Sequence, residues 1–399
     1  MSQDFWKTQL NQKDPEFPEY LSFSTYQQLT KCPKQWFLLN SEYPEIWSKK
    51  GYPRKVNEFT IMGSAVHQSL EIIIDKMKEE SIDFGSKNYI RLIKELGGLR
   101  NILKGEIEQL LDQSQYSENP RYLRVRKNLS LKIKKNLLET YFRQLRTLLA
   151  KLNLPVKSET NKQISKKSSR ELPSVMTERY VQSEAMKWKG IIDLVINDGN
   201  GVKLIDFKTG KEKDSHKDQL ELYQVIWMDD DHVNELPVKE LSIKYPQVEK
   251  FHPPLEISEA ESLKAKYKDI TEELKENNLS EFSASPSEEN CKYCDVKQIC
   301  NEFWETMQPI EDKDFGDSEI EIQANGDQED VSARIIHSNV AETDSIVNIS
   351  FQDVGDNYRE FFTPEKRLRV LNGHHYNEEE VGKDFIHIQQ RTEVFIINE

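Results

Sequence analysis

The stretch GIIDLVINDGNGVKLIDFKTGK, residues 190–211, sets Asp193, Asp206 and Lys208 inside two apolar strands joined by a turn. Side chains of a strand alternate faces, so Asp206 and Lys208 share one face while Ile205 and Phe207 occupy the other. Asp193 is flanked by Ile191, Ile192, Leu194, Val195 and Ile196, and VKLI precedes Asp206. An uncompensated carboxylate in such surroundings is costly or is driven neutral. Two carboxylates on facing strands are tolerated when a divalent cation sits between them, and hard oxygen ligands suit Mg²⁺ or Mn²⁺. The nearby ammonium could then hold or deprotonate a water attacking phosphorus. An Asp-x-Lys alone more often marks a solvated sheet edge; the apolar flanks on both strands count against that alternative.

Other residues could join this group. FTIMGSAVHQSLEIIIDKMKEE, 59–80, repeats Ala65, Leu70, Ile73, Ile74 and Met77 at helical spacing. Gly63 and His67 fall one turn apart on that helix, so a small residue can let it approach a sheet while the imidazole points inward. Imidazole can bind Mg²⁺ or Mn²⁺ beside carboxylates, although it suits softer metals better. A lone histidine on such a face also reads as an ordinary, partly buried one. Gln219 and Tyr223 lie one turn apart on a helix over 217–228 and by themselves read as helix surface and core. The cysteines are Cys32 and then Cys291, Cys294 and Cys300 in CKYCDVKQIC. Thiols so clustered read as core thiols, zinc ligands or iron–sulfur ligands, and spacing does not separate the two metals. Disulfides are disfavoured in a reducing cytosol.

The elements that must position these residues follow from periodicity and punctuation. LSFSTYQQLTKCPKQWFLLN, 21–40, is a capped helix ending near Lys31–Cys32–Pro33 and followed by an aromatic segment. Residues 81–152 are mostly helical, with turns at Gly97–Gly98 and around Asn119–Pro120, and the polar, basic 155–175 read as a flexible loop. Strands are expected over 176–187 and in the hairpin whose turn is Asp198-Gly199-Asn200-Gly201. A strand over 240–248 and a helix over 258–277 follow. Acidic residues 310–330 read as a linker, and 331–399 as a small β-rich domain.

The net charge of −14 conceals two opposed segments. Residues 310–399 carry 21 acidic and 8 basic side chains, whereas residues 121–170 carry 15 Lys and Arg against Glu139 and Glu159. The basic segment, with Tyr122, Tyr141 and Phe142 interleaved, is expected to meet a DNA backbone and stack on single-stranded bases. The acidic tail would repel DNA and is expected to dock a partner, to fold over the basic segment, or to act as a solubilising appendage. No apolar run is long enough to span a bilayer, and no secretory leader is evident, so a cytoplasmic location without membrane contact is expected. No G-x-x-x-x-G-K-[ST] phosphate loop occurs, so no ATPase motor is expected in the chain.

The G-x-x-D, turn, D-x-K-T-G core resembles that of the PD-(D/E)XK nuclease superfamily, in its RecB-like branch. The upstream G-x-x-x-H helix of that branch matches Gly63 and His67, and its downstream Q-x-x-x-Y helix matches Gln219 and Tyr223. The resemblance covers about 20–305. It implies an α/β fold: a restriction-endonuclease-like core, a mixed central sheet flanked by helices, within a nuclease domain over 1–309. A helical basic insertion spans 81–175, and the β-rich domain follows the core. The implied activity is metal-dependent phosphodiester hydrolysis on DNA, by an exonuclease acting on single-stranded ends. The rivals are a structure-specific endonuclease on the same fold and a non-catalytic DNA-binding subunit. By the same resemblance His67, Asp193, Asp206 and the Phe207 carbonyl bind Mg²⁺ or Mn²⁺, Lys208 activates the water, and Gln219 and Tyr223 position Lys208 or the substrate. Glu71, one turn beyond His67, is a further acid. A Cys-Pro before the G-x-x-x-H helix, with three cysteines after the core, is similar to the iron–sulfur members, among them the CRISPR-adaptation exonucleases. That similarity implies a [4Fe–4S] cluster on Cys32, Cys291, Cys294 and Cys300, in preference to zinc, and a helicase or CRISPR-type integration partner.

Overall fold

The computed structural model describes residues 6–113, 118–152, 172–230, 236–276, 282–310, 314–323, 331–351, 355–378 and 382–397. The 155–175 loop expectation falls largely outside them. Two short helices, α1 (Phe23–Lys31) and α2 (Pro33–Asn40), meet at Cys32. The Ser22 hydroxyl caps α1 by accepting from the Thr25 N–H, and Pro33 ends one helix while supplying the fixed φ that starts the next. The expected aromatic segment is thus itself helical. Helix α3 (Glu58–Glu79) is capped by Asn57 and is followed by α4 (Lys87–Glu95), α5 (Leu99–Asp112), α6 (Pro120–Lys132) and α7 (Leu138–Ala150). A π-helical turn, Ile133–Leu137, joins the last two.

Strands β1 (Val175–Ser183), β2 (Trp188–Asn197) and β3 (Val202–Phe207) form an antiparallel meander. Gly199 supplies the positive φ, +87°, that the β2–β3 turn requires. Helix α8 (Ser215–Asp229) then crosses over to β4 (Val238–Lys244), which lies parallel to β3, and β5 (Glu249–His252) completes the order β1-β2-β3-β4-β5. Alternation along β3 fixes the two layers. Ile205 and Phe207 pack with α3 and the helices after it, in a core that holds Ile61, Ala65, Ile73, Leu103 and Leu145. Val202 and Leu204 pack with Leu220, Val225 and Trp227 of α8 and with α9 (Ile257–Glu276). The sheet is therefore buried on both faces, and its polar residues gather at the end where β3 runs into α8.

The cysteine segment folds as α10 (Glu288–Cys291), a 3₁₀ turn (Lys297–Ile299) and α11 (Asn301–Glu305). Six strands follow: β6 (Phe315–Ile322), β7 (Val331–Ser338), β8 (Ile346–Phe351), β9 (Arg367–Glu378), β10 (Lys383–Ile388) and β11 (Glu393–Ile397). They pair in the order β10-β8-β7-β6-β9-β11, and β10 also pairs with β9, so the first five close on themselves. With β8 and β10 parallel and a 3₁₀ helix (Gly355–Phe361) between β8 and β9, this is the Greek-key barrel topology of the OB fold.

Strand β6 lies within 310–330, which the sequence suggested as a linker. Ile320 and Ile322 point into the barrel, while Glu319 pairs with Arg367 and Arg369 and Glu321 with Arg334. The acids that made the segment look solvated are the polar half of a period-two strand. The barrel also shares one core with the cysteine segment, through Val296, Phe303 and Trp304. Among the described residues no helix is long and apolar enough to cross a membrane.

Candidate active site

Helix α3 and the sheet can meet closely because position 63 is glycine. A Cβ there would sit 3.0 Å from the Thr209 hydroxyl. One turn on, His67 Nδ1 lies 3.6 Å from Asp193 Oδ2 on β2, and the same carboxylate oxygen accepts the Phe207 N–H at 2.6 Å. The Phe207 amide thus joins neighbouring strands at the site. Asp206 is 3 % exposed. Lys208 Nζ lies 2.8 Å from its Oδ2 and 3.1 Å from its Oδ1, and donates to Gln219 Oε1 at 2.9 Å. Gln219 Nε2 donates in turn to the Tyr223 hydroxyl at 2.8 Å. Tyr223 has room only because residue 190 is glycine: a Cβ there would stand 2.4 Å from the ring. All of the residues expected on this core, His67, Asp193, Asp206, Lys208, Gln219 and Tyr223, are brought to one end of the sheet.

The structure adds a residue that the sequence did not single out. Glu178 of β1 sits across from Asp193, between the register pairs Thr177–Leu194 and Arg179–Ile192. Its φ of +44° is in the left-handed region that non-glycine residues seldom adopt, the kind of strain that gathers at functional sites. Ligand atoms of His67, Glu178 and Asp193 lie within 4.8 Å of one another. MTERYVQSE carries both Glu178 and Glu184, and only strand register tells which one faces Asp193. Glu184 instead pairs with Lys187. Glu71 stands close enough to help raise the Glu178 carboxyl.

Electrostatics mark the same place. Burial, then the crowding Asp193 charge, push the Asp206 carboxyl up to about 7 against the opposing pull of Lys208. Burial, then Asp193 and Glu71, push Glu178 up to about 7 as well. Burial alone would lower His67, but the bond and charge of Asp193 outweigh it and raise the imidazole. Asp206 Oδ2 is buried and, although close to Lys208, has no aligned hydrogen bond. Two carboxyls that resist ionisation beside Asp193, one buried oxygen left over and an imidazole form a donor set that fits a divalent cation.

The four cysteines also converge. Cys32, Cys291, Cys294 and Cys300 line one cavity of about 20 Å³, walled by Leu38, Val296 and Phe303. Burial raises the Cys291 thiol, and pushes Cys294 up to about 11 and Cys300 to about 12. The Ser285 N–H reaches Cys32 Sγ at 3.5 Å, a contact of the kind that holds a metal-bound thiolate. Four soft donors drawn from both ends of the core fit a thiolate-held metal centre.

The basic segment departs from expectation. Tyr122 and Tyr141 are buried in the helical core, and Phe142 packs under Arg100 at 4.8 Å, so these rings are not a stacking platform. Helical spacing turned the aromatics inward together with their aliphatic neighbours. Arg121 is buried too, 3.1 Å from Glu393 of the barrel, the point where basic segment and acidic tail meet.

No curated protein matches the chain. A solved structure titled "Crystal structure of SSO0001" aligns at 15 % identity, over 64 % of this chain and 88 % of that one, with a TM-score of 0.20, an overlap too loose to carry an inference. The family model of the PD-(D/E)XK nuclease superfamily matches residues 20–301, most of the chain and every residue of the site just described. The chain belongs to the PD-(D/E)XK nuclease superfamily.

Proposed function

We propose that the protein is a divalent-metal-dependent DNA exonuclease that works on single-stranded ends. The observation that carries the reading is the meeting of His67, Glu178 and Asp193 with the Asp206–Lys208 pair at one end of the sheet. His67, Glu178, Asp193 and Asp206 would hold Mg²⁺ or Mn²⁺. The ion, when bound, polarises a phosphoryl oxygen and lowers the pKa of a water. The chain's own residues do the rest. Lys208 holds the attacking water and balances charge on the phosphate, and the Gln219 carbonyl fixes the ammonium so that it is not drawn wholly into Asp206. Tyr223 fixes the Gln219 amide. Apolar Ile205 and Phe207 behind the carboxylates keep bulk water out of the sheet. The Phe207 carbonyl remains part of the proposed ligand set.

The cysteines would hold a [4Fe–4S] cluster that clamps the two ends of the core, about 260 residues apart in sequence, and restricts the unfolded chain. Brown colour and iron with acid-labile sulfide in anaerobically purified protein are expected; zinc alone would remove the cluster. A helicase or a CRISPR-type integration complex is the proposed partner. The deciding assay offers end-labelled single-stranded, duplex and circular DNA with Mg²⁺, Mn²⁺ or EDTA. Linear single strands should shorten from an end, with metal. Cleavage of circles would replace the exonuclease with an endonuclease, and no metal-dependent cleavage at all would leave a DNA-binding subunit.

A further inference from the structure

A cleft of about 1410 Å³ runs between the first turn of α3, the cysteine segment and the rim of the barrel. It exceeds the ~300–1000 Å³ of a small-molecule pocket. Large rings stand exposed along it: Phe59 of α3 at 58 %, Tyr293 of the cysteine segment at 82 % and Phe315 of β6 at 39 %. From Phe315 the rings continue over the outside of the barrel. His374 follows at 4.8 Å, Tyr376 at 5.6 Å from it and Phe385 at a further 5.1 Å, with the last two rings only 7° from parallel. Cross-strand pairing explains part of this ladder, because Phe315 faces His374 and Phe385 faces Tyr376 in register. It does not explain Phe59 and Tyr293, which sit on unrelated elements and have no sheet to stabilise.

The charges agree. Arg54 and Arg391 face the cleft, exposed, and make no ion pair among the described residues. The two tail acids that line the cleft are paired inside the fold, Asp317 with Lys297 and Glu393 with Arg121. The cleft starts on the same helix that carries part of the site. Phe59 and His67 share α3, eight residues and so ~12 Å apart along its axis. Sequence-tolerant recognition of single strands combines such a cationic groove with ring faces on which unpaired bases stack, and barrels of this topology are a recurrent scaffold for it.

We propose that this cleft and the ring stripe of the barrel are the track for single-stranded DNA, leading the strand to the metal-holding end of the sheet. The inference rests on the nuclease reading for its direction, and on the cleft alone for its ligand. The test measures anisotropy of labelled oligothymidylates of increasing length on the full chain in EDTA, where nothing is cut. Affinity should rise with length until the track is filled, within roughly 4 to 16 nucleotides. Phe59→Ala and Tyr293→Ala should each weaken the long oligonucleotides about five- to a hundredfold, and Tyr376→Ala should act on the longest ones only. Arg391→Glu should lower the salt slope by about one. Metal-dependent cleavage of a four-nucleotide substrate should be unchanged in all of these variants. Variants that bind every length as tightly as the parent, or a parent that binds blunt duplex as well as single strands, would overturn the track. Length-dependent binding that the variants lose, in a parent that cuts nothing with Mg²⁺ or Mn²⁺, would uphold the track and sink the nuclease reading instead.

Discussion

Both sheets of this molecule bury carboxylates, and they treat them in opposite ways. In the barrel, Glu319 is held by Arg367 and Arg369, and Asp317 meets Lys297 of the cysteine segment. Each acid has a cation of its own, and the arrangement is closed. At the end of the five-stranded sheet, Glu178, Asp193 and Asp206 crowd one another around a single ammonium and a histidine. There the chain assembles more negative charge than it neutralises. Burial alone therefore does not mark a functional acid. What marks it is an excess of acids over cations gathered around a buried carboxylate, Asp206, a set that a bound ion would complete.

The comparison breaks most easily by removing the cation on each side. Lys208→Ala should lower cleavage of DNA by ~10³-fold or more, with the loss in kcat, while the circular dichroism spectrum and melting temperature stay close to those of the parent. Asp206 can then stay protonated and needs no partner. Full metal-dependent activity in Lys208→Ala would put the essential ammonium elsewhere. In the barrel, Glu319→Ala strands Arg369 against Trp304 and the Gln298 carbonyl, and should cost about 3–5 kcal/mol in urea unfolding. Activity per folded molecule should be unchanged. A stability loss under 1 kcal/mol would mean that the barrel pair is as open to solvent as a surface bridge.

Metal and pH sharpen the contrast. Asp206 and Glu178 carry folded values of about 7, above their unfolded ones. Between about pH 4 and 7 the folded state then binds more protons than the unfolded state, so metal-free stability falls as pH rises through that window and levels off above it. The raised His67 acts in the same sense, since the folded form holds its proton to higher pH. Mg²⁺ or Mn²⁺ should reverse the trend, adding about 2.7 kcal/mol at a hundredfold excess over Kd, with the largest gain above pH 7. Asp193→Asn should lose that gain, whereas Glu319→Ala should retain it. An equal metal response at pH 5 and 8 would separate the ion from these carboxyls.

How much of this was legible in the sequence depended on whether a signal was local. The β2–β3 hairpin announces itself through Asp198–Gly201, whereas His67, Gln219 and Tyr223, ordinary helix residues by spacing alone, stand out only through the resemblance of their motifs to the family. Glu178 was not legible, because its role comes from lying opposite Asp193 in a neighbouring strand, and register is set by the whole sheet. Strand β6 was hidden by its own charges, which pair with Arg334, Arg367 and Arg369 on other strands. Tyr122 and Tyr141 misled in the other direction: cations around them suggested a DNA surface, yet helical geometry placed the rings in the core. The barrel closure, β9 to β10 and β10 to β8, is a long-range pairing that no window of the chain contains.

The finest test of the catalytic end is the removal of one oxygen. The Tyr223 hydroxyl takes the Gln219 amide N–H, which leaves the Gln219 carbonyl oxygen aimed at Lys208. In Tyr223→Phe the amide is free to rotate and present its NH₂ to the ammonium, so the lysine loses an acceptor and leans into Asp206. A neutral hydrogen bond of this kind is worth ~0.5–1.5 kcal/mol, so kcat should fall by about 2- to 10-fold. KM should hold, because nothing on the track has changed, and stability should drop by no more than the same amount because the ring still fills the space that Gly190 leaves. If Tyr223→Phe lowers kcat no further in the Gln219→Ala background, the two act as one chain ending on Lys208. If their effects simply add, Gln219 touches the substrate independently and the relay through Tyr223 is wrong.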